Sequence, residues 1–163
     1  MASTYTPIAT TTLSSAQASV SFSSFSGYTD LILVCNFGSA KGSQDGLLFR
    51  VNSDSGTNYR YNRLTGSSTT ATCDRNLSAT SLIAGGIDGS STTSIATYNI
   101  MNYSNTNAYK AILMRNGFSN TVTNASIGQW LSNSAIASIQ LSTESASNFR
   151  AGSTFTLYGI TAA

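Results

Sequence analysis

The run "LILVCNF", Leu31–Phe37, is a short apolar segment in a chain that is otherwise rich in small polar residues. Successive side chains in a β-strand point to opposite faces of the sheet. Because the four residues from Leu31 to Val34 are all apolar, a strand at this place carries apolar side chains on both faces. We therefore expect a central strand that is covered on both sides.

Similar short runs recur along the whole chain and are separated by Gly, Asn, Asp and Ser. No window of helical length keeps an uninterrupted apolar stripe at positions i, i+3, i+4 and i+7. The sequence therefore predicts an all-β fold, an antiparallel β-sandwich that is jelly-roll-like and has about ten strands. The segment "SNTNA", between "NIMNY" and "YKAILMR", has the length of a hairpin connection.

The length and composition indicate a single domain, residues 1–163. Charged residues make up 9% of the chain, against about 25% in an average soluble domain. The net charge is +2, so copies of the chain repel one another only weakly, and we expect a homo-oligomer. The eight basic residues form no cluster in the sequence, which argues against a nucleic-acid partner.

The N-terminal residues, 1–15, are mostly polar and contain the single proline, Pro7. Proline is tolerated at the edge of a sheet, so this segment is either an edge strand or an arm that adds to a neighbouring subunit. It lacks the basic and apolar regions of a secretory signal peptide. No apolar run in the chain approaches the roughly 20 residues of a membrane helix, and we expect no membrane partner.

The chain contains no histidine, which removes the commonest general base and the commonest metal ligand. It also lacks a nucleophile elbow, a phosphate-binding loop, a dinucleotide fingerprint and a Cys-x-x-Cys pair. A pair of catalytic carboxylates, as in glycosidases, is the enzymatic alternative that remains. The carboxylates lie in or beside predicted turns, where aspartate is favoured for backbone reasons: Asp30, Asp45, Asp54, Asp74, Asp88 and Glu144. We expect a protein that is not an enzyme and that binds no cofactor.

Polar residues are concentrated in "NSDSGTNYRYNRL", Asn52–Leu64. A calcium loop of the EF-hand type needs several acidic ligands and a glutamate at its twelfth position, whereas Asp54 is the only carboxylate in this stretch. We therefore expect no metal site. The pattern instead indicates a structural hairpin with a turn at its Asn, Asp and Gly residues and with Gly56 at positive φ. Tyr59 and Tyr61 then share one face of the returning strand.

Three segments, "LFRVNSDSGTNYRY", "GQWLSNSAIASIQLS" and "NFRAGSTFTLYGI", resemble parts of a family of tailed-bacteriophage virion structural proteins. A fourth, "VSFSSFSGYTDLIL", resembles the opening strands of the same family. Residues 66–107 resemble no segment of it. The residues that carry the resemblance are Asn52, Asp54, Gly56 and Tyr59, then Trp130, and finally Gly152, Phe155, Tyr158 and Gly159.

This resemblance implies a protein of the virion that is made in the cytoplasm of the bacterial host. We expect a capsid decoration (cement) protein that contacts the major capsid protein or another virion protein, with a trimer as the preferred oligomer. The alternative is a receptor-binding module of a tail or fibre that recognises host carbohydrate. In that case the loop Asn102–Tyr109 and Trp130 are the candidates for sugar contacts, although Trp130 is also a candidate for core packing.

The C-terminal motif also has a local interpretation. Gly152 permits a turn before the strand "TFTLYGI", and Gly159 allows a bend or a close approach of another part of the chain. Phe155 and Leu157 fall on one face of the strand and Tyr158 on the other. We therefore expect an integral core strand that is covered on both sides or lies at a subunit contact.

Overall fold

Twelve β-strands and no helix form the described part of the chain in the computed structural model, which comprises residues 4–89, 93–118 and 121–161. The strands are β1 Tyr5–Thr12, β2 Ser19–Ser23, β3 Asp30–Phe37, β4 Asp45–Val51, β5 Tyr59–Ser67, β6 Thr70–Ala79, β7 Leu82–Ile87, β8 Ser94–Ile100, β9 Lys110–Phe118, β10 Val122–Trp130, β11 Ser138–Thr143 and β12 Thr154–Ile160. Within these residues there is consequently no helix with the length and apolarity needed to cross a membrane. The all-β prediction is confirmed, with twelve strands rather than about ten.

Four strand pairs define the topology: β1 with β12, β2 with β11, β3 with β8, and β4 with β7. All four pairs are antiparallel. In a jelly roll the first strand pairs with the last, the second with the one before it, and so on inwards. These pairs alternate between two sheets, here β1-β12-β3-β8 and β2-β11-β4-β7. The structure is therefore an antiparallel β-sandwich of the jelly-roll type, as predicted.

Two further hairpins are inserted into this framework, β5–β6 after β4 and β9–β10 after β8. Both add to the same sheet, whose complete order is β1-β12-β3-β8-β9-β10-β5-β6. The predicted hairpin between β8 and β9 is also present. The other sheet has only four strands, and β6 is exposed at every residue except Ala79. The larger sheet thus extends beyond the sandwich on one side.

The core lies between the two sheets and contains clustered aromatic rings. Phe37 packs against Phe155 and Phe149 with ring centroids 6.0 and 6.1 Å apart, and Phe49 stacks on Tyr98 at 4.8 Å. All five side chains are fully buried. Burial of a phenylalanine in this way stabilises the fold by about 1.5–3 kcal/mol relative to an exposed position.

Strand β3 is covered on one face only, which corrects the prediction made from its sequence. Leu31, Leu33 and Cys35 are fully buried between the sheets, whereas Val34 on the outer face is 36% exposed. The strand is central, because it lies between β12 and β8. However, the smaller sheet packs only on its inner face, so the apolar residue on the outer face stays accessible.

The N-terminal segment forms an edge strand. β1 pairs with β12 of the same chain, with Tyr5 opposite Ile160, and it is the last strand at one edge of the larger sheet. The register shifts between Pro7 and Ala9, as expected where proline cannot donate a ladder hydrogen bond. Of the two alternatives for this segment, residues 5–12 adopt the edge strand, and residues 1–3 lie outside the described residues.

The C-terminal strand β12 is integral to the larger sheet, where it lies between β1 and β3. Phe155 and Leu157 are fully buried, and Tyr158 on the opposite face is partly buried. Gly152 precedes the strand with a φ angle of +84°, which glycine adopts without steric strain. The ring of Tyr28 packs so closely over Gly159 that a Cβ atom there would overlap it, so the close approach expected at this glycine is present.

Replacing Phe155 with alanine removes a fully buried ring from β12. We expect the free energy of unfolding to fall by about 3–5 kcal/mol, because the truncation leaves a cavity in a packed core. Thr156→Ala, at the adjacent partly exposed position, is the matched control and should change it by about 1 kcal/mol at most. Chemical denaturation measures both values. Deletion from Thr154 onward should abolish soluble folding, and a truncated chain that still unfolds cooperatively would contradict the role of this strand.

Candidate functional site

The loop between Val51 and Tyr59 forms a corner between the two sheets. β4 belongs to the smaller sheet, whereas β5 pairs with β6 and β10 in the larger one. The chain therefore crosses from one sheet to the other at this loop, and the predicted hairpin is wrong. The local sequence fits both connections, because the choice depends on strands far away along the chain.

Asp54 lies at the centre of this corner. Its carboxylate accepts hydrogen bonds from the Trp130 indole nitrogen at 2.7 Å, the Asn58 side-chain amide at 3.0 Å and the Gly56 backbone amide at 2.9 Å. Burial of the carboxylate opposes its ionisation, but these hydrogen bonds outweigh burial and hold the pKa of Asp54 below its usual value. Both carboxylate oxygens are thus bound by the protein itself.

Tyr59 and Asn52 close the corner from its two sides. The Tyr59 hydroxyl accepts a hydrogen bond from the Val51 amide at 3.1 Å and donates one to the Asp54 carbonyl oxygen at 3.0 Å. Burial raises the pKa of Tyr59 to about 12, so the hydroxyl stays protonated. The Asn52 side-chain oxygen accepts a hydrogen bond from the Ala137 amide at 2.7 Å, which ties the loop to the start of β11.

Positive φ angles in this loop occur at Asn52 and Ser53, with values of 51° and 57°. Asparagine tolerates this region of backbone conformation better than most residues. Gly56, where the sequence predicted a positive φ, has none. The absence of a side chain is important there for another reason, since Asn58 and Asp54 lie close to where a Cβ atom would be.

The structure thus separates the sequence-predicted residues into two groups. Five of them meet in the corner: Asn52, Asp54, Gly56, Tyr59 and Trp130. The other four belong to β12 and the turn before it: Gly152, Phe155, Tyr158 and Gly159. No group of three or more His, Cys, Asp or Glu side chains that could hold a metal ion occurs in residues 4–89, 93–118 and 121–161. Both groups contribute to the internal hydrogen bonding and packing of the fold.

The Asp54 network predicts a loss of stability in acid. An aspartate in the unfolded chain titrates near pH 3.9, and in the folded protein the pKa of Asp54 is lower than usual. The network therefore contributes fully above about pH 4, and its contribution is lost as the pH falls through the folded-state pKa. Asp54→Asn should lower the melting temperature at neutral pH and remove part of its decline in acid.

Thermal melts across the acidic range test this prediction. Asp74→Asn is the matched control. The Asp74 side chain is 46% exposed and forms an ion pair with Arg63, and exposed ion pairs contribute little to stability. If Asp54→Asn has the same melting temperature and the same pH profile as the unmodified protein, the Asp54 network does not stabilise the fold.

The loop expected to bind carbohydrate forms no stacking platform with Trp130. Trp130 is only 3% exposed, and its indole nitrogen is bound to Asp54. Tyr103 is buried against Phe25, with ring centroids 5.6 Å apart, whereas Tyr109 is 56% exposed. Trp130 is therefore a core residue, and in residues 102–109, all of them described, Tyr109 is the aromatic ring that a ligand can reach.

Two carboxylates, Asp45 and Glu144, line one polar cleft of about 570 Å³ beside β5 and β7. Asp45 accepts hydrogen bonds from the side chains of Ser145 and Ser147. Burial opposes its ionisation, but these bonds outweigh burial and lower the pKa of Asp45. A general acid needs a raised pKa, so Asp45 is unsuited to that role beside Glu144.

A groove of about 860 Å³ crosses the outer face of β8, β9, β10, β5 and β6, and we call it the outer groove. Its floor includes a cross-strand row of small residues, with Gly117 opposite Thr123 and Thr123 opposite Gly66. Ile95 at the end of this row is 57% exposed, and Leu64 in the next row is 60% exposed. Small side chains between large exposed ones produce the groove and make its lining apolar.

Three arginines, Arg60, Arg75 and Arg115, are exposed on the outer face of these five strands. The carboxylate that these strands contain, Asp74, points to the opposite face and pairs with Arg63 at 2.9 Å. The eight basic residues are scattered in the sequence, but strand pairing places three of them on one face without an acidic neighbour in these strands.

The outer groove could not be recognised from the sequence, because its residues come from five strands whose pairing is set by long-range contacts. One signal was nevertheless present. β9 and β10 carry apolar residues on both faces, and on the outer face Leu113 and Ile127 are 40% and 49% exposed. Apolar residues on both faces of a strand indicate either two covering layers or one exposed binding face.

The interpretation of these surfaces rests on their geometry. No protein-family model matches the sequence, and no curated protein matches it significantly.

Proposed function

We propose that this protein is a non-enzymatic structural component of a bacteriophage virion, a decoration (cement) protein that binds over the capsid lattice. The observation that carries the proposal is the outer groove, an exposed apolar surface on a weakly charged jelly-roll sandwich. Contiguous exposed apolar surface on a soluble domain marks an interaction site. Jelly rolls are also a frequent architecture of viral capsid domains.

The polar side chains of the interior support a binding role rather than a catalytic one. The carboxylates of Asp54 and Asp45 are held by internal hydrogen bonds. A further internal ladder crosses three strands, in which Thr65 donates to Asn124 at 2.7 Å and Asn124 donates to Asn116 at 3.3 Å. These groups are already engaged in stabilising the scaffold, and the chain contains no histidine.

The resemblance to virion proteins supports the same proposal. The residues that carry it form the corner around Asp54 and the strand β12, so it concerns how the sandwich is built. A shared scaffold does not by itself fix a function. The virion location is therefore proposed from the resemblance and the outer groove together.

The alternative proposal is a receptor-binding module of a tail or fibre that recognises host carbohydrate. The exposed ring of Tyr109, next to the polar residues 102–107, favours it, because binding sites combine aromatic surface with a few polar groups. The burial of Trp130 removes the second aromatic ring of that hypothesis. We therefore place decoration first.

The copy number in purified particles distinguishes the two proposals. A decoration protein covers the lattice, so we expect a copy number comparable with that of the major capsid protein. A tail or fibre module is present in far fewer copies. Quantitative mass spectrometry of purified virions, with the major capsid protein as internal standard, gives the ratio, and absence of the chain from the particles would overturn both proposals.

We also propose that the protein forms a homo-oligomer, with a trimer preferred. The larger sheet ends in β1 and β6, which each have a neighbouring strand on one side only, and free strand edges can pair with another chain. Because the resemblance to virion proteins implies a trimer, size-exclusion chromatography with light scattering should give the mass of a trimer of the 17.0 kDa chain. A monomer at micromolar concentration, both free and on particles, would contradict this prediction.

A further inference from the structure

We propose that the outer groove binds an acidic, aliphatic segment of a partner protein. The proposal identifies the contact surface of this protein and the chemistry of the segment that it accepts. It deepens the proposed function, and its application to a capsid subunit rests on that function. The groove's own specificity is independent of where the partner segment comes from.

The lining of the groove favours aliphatic side chains. Leu64 and Ile95 are 60% and 57% exposed, and covering them with apolar groups removes that surface from water. The floor is open, since a Cβ atom placed on Gly117 would meet nothing within 4 Å. A branched aliphatic side chain can therefore enter the groove at Gly117.

The charges on this face favour an acidic segment: Arg115 lines the groove, and Arg60 and Arg75 lie outside its lining on the same outer face. The side chains of Arg60 and Arg75 have no hydrogen-bond or ion-pair partner among the described residues. The Arg115 side chain donates a hydrogen bond to the Asn99 side-chain oxygen at 3.2 Å. The guanidinium group binds carboxylates with two parallel hydrogen bonds. Three arginines on an apolar face without a carboxylate in its strands are therefore complementary to glutamate or aspartate side chains.

A second copy of the chain does not supply such a segment. Asp30, Asp45, Asp54 and Asp74 already accept hydrogen bonds within their own chain, and Asp88 is buried. Glu144 is the exposed carboxylate that remains. A two-fold contact through this face would also place arginine against arginine. The proposed homo-oligomer therefore uses other surfaces, such as its sheet edges.

Nucleic acid is a poorer fit than a protein segment. Proteins that bind single strands stack the bases on aromatic side chains. The groove is lined by aliphatic and small polar residues together with Arg115, and none of its lining residues is aromatic. An arginine-rich face without stacking platforms matches carboxylates on an aliphatic segment better than stacked bases.

Cys73 provides a direct readout of the groove. It lines the groove and is exposed, whereas Cys35 is fully buried and burial raises the pKa of its thiol far above the usual range. A thiol reagent therefore reacts at Cys73 in the folded protein. Protection of this thiol reports occupation of the groove.

The probes are three synthetic peptides of equal length. In the first, glutamate and leucine alternate; the second has lysine in place of glutamate, and the third has serine in place of leucine. We expect the first peptide to slow the labelling of Cys73 in a saturable way, and the other two to bind about tenfold more weakly. Equal protection by the lysine peptide, or protection by an oligothymidylate but not by the acidic peptide, would overturn the proposal.

Variants test whether the groove itself is responsible. Reversal of the three charges, Arg60→Glu with Arg75→Glu and Arg115→Glu, should weaken binding of the acidic peptide at least about tenfold. Lys41→Glu makes one charge reversal of the same kind on an exposed loop outside the groove lining and should leave binding unchanged. Gly117→Val places a side chain on the floor, where a Cβ atom meets nothing within 4 Å, and should also reduce binding.

Gly117→Val alters the shape of the groove and not its charge. It therefore tests the proposal independently if the charge-reversed variant does not fold. Circular dichroism and thermal melting show whether each variant is folded. A folded charge-reversed protein, or a folded Gly117→Val protein, that binds the acidic peptide as well as the unmodified protein would refute the proposal.

Binding to phage particles that lack this chain distinguishes a failure of the groove proposal from a failure of the proposed decoration function. If the unmodified protein binds these particles and the charge-reversed variant does not, while Lys41→Glu binds normally, the groove is the contact with the virion. If the unmodified protein does not bind but the acidic peptide protects Cys73, the decoration function fails and the groove proposal stands. If all variants bind the particles equally, the virion contact lies outside the groove and its application to the capsid is wrong.

Discussion

The hydrogen bond from the Trp130 indole to the Asp54 carboxylate joins the two sheets at the corner between them. Trp130 ends β10 in the larger sheet, and Asp54 lies in the loop that leaves β4 of the smaller sheet. A partly buried carboxylate that loses such a donor keeps part of the cost of its desolvation. The bond therefore holds the inserted hairpins at a defined position beside the jelly roll. The outer groove is built on those hairpins and on β8, on the opposite face of the same sheet.

The alternation of side chains within single strands was readable from the sequence. Phe155 and Leu157 are buried on one face of β12, and Tyr59 and Tyr61 share the inner face of β5, as expected. The exposure of Val34 was not predictable in the same way. The alternation shows on which face of the strand a side chain lies, but it does not show whether another layer covers that face. Only the structure shows that the smaller sheet packs on the inner face of β3 and leaves Val34 on the outer face accessible.

Local sequence patterns also could not predict which distant strands pair with each other. The stretch after Val51 fits a hairpin and a corner equally well, and the difference arises from the pairing of β5 with β10. The same pairing gathers Arg60, Arg75 and Arg115 onto one face, although they are widely separated in the sequence. The structural residues of the corner were therefore identified from the sequence, whereas the candidate binding surface was not.

The pairing of β1 with β12 has a consequence for how this protein folds. Tyr5 finds its partner at Ile160, and the next pair inwards, β2 with β11, also joins the beginning of the chain to its end. Closing such long loops is entropically unfavourable before the contacts that they allow are formed, and topologies of this kind fold slowly. During synthesis on the ribosome the smaller sheet cannot be completed until β11 has emerged, and the larger sheet cannot be completed until β12 has emerged. Until then β2 lacks its partner β11 and β3 lacks its partner β12, so the growing chain presents unpaired strand edges for most of its synthesis.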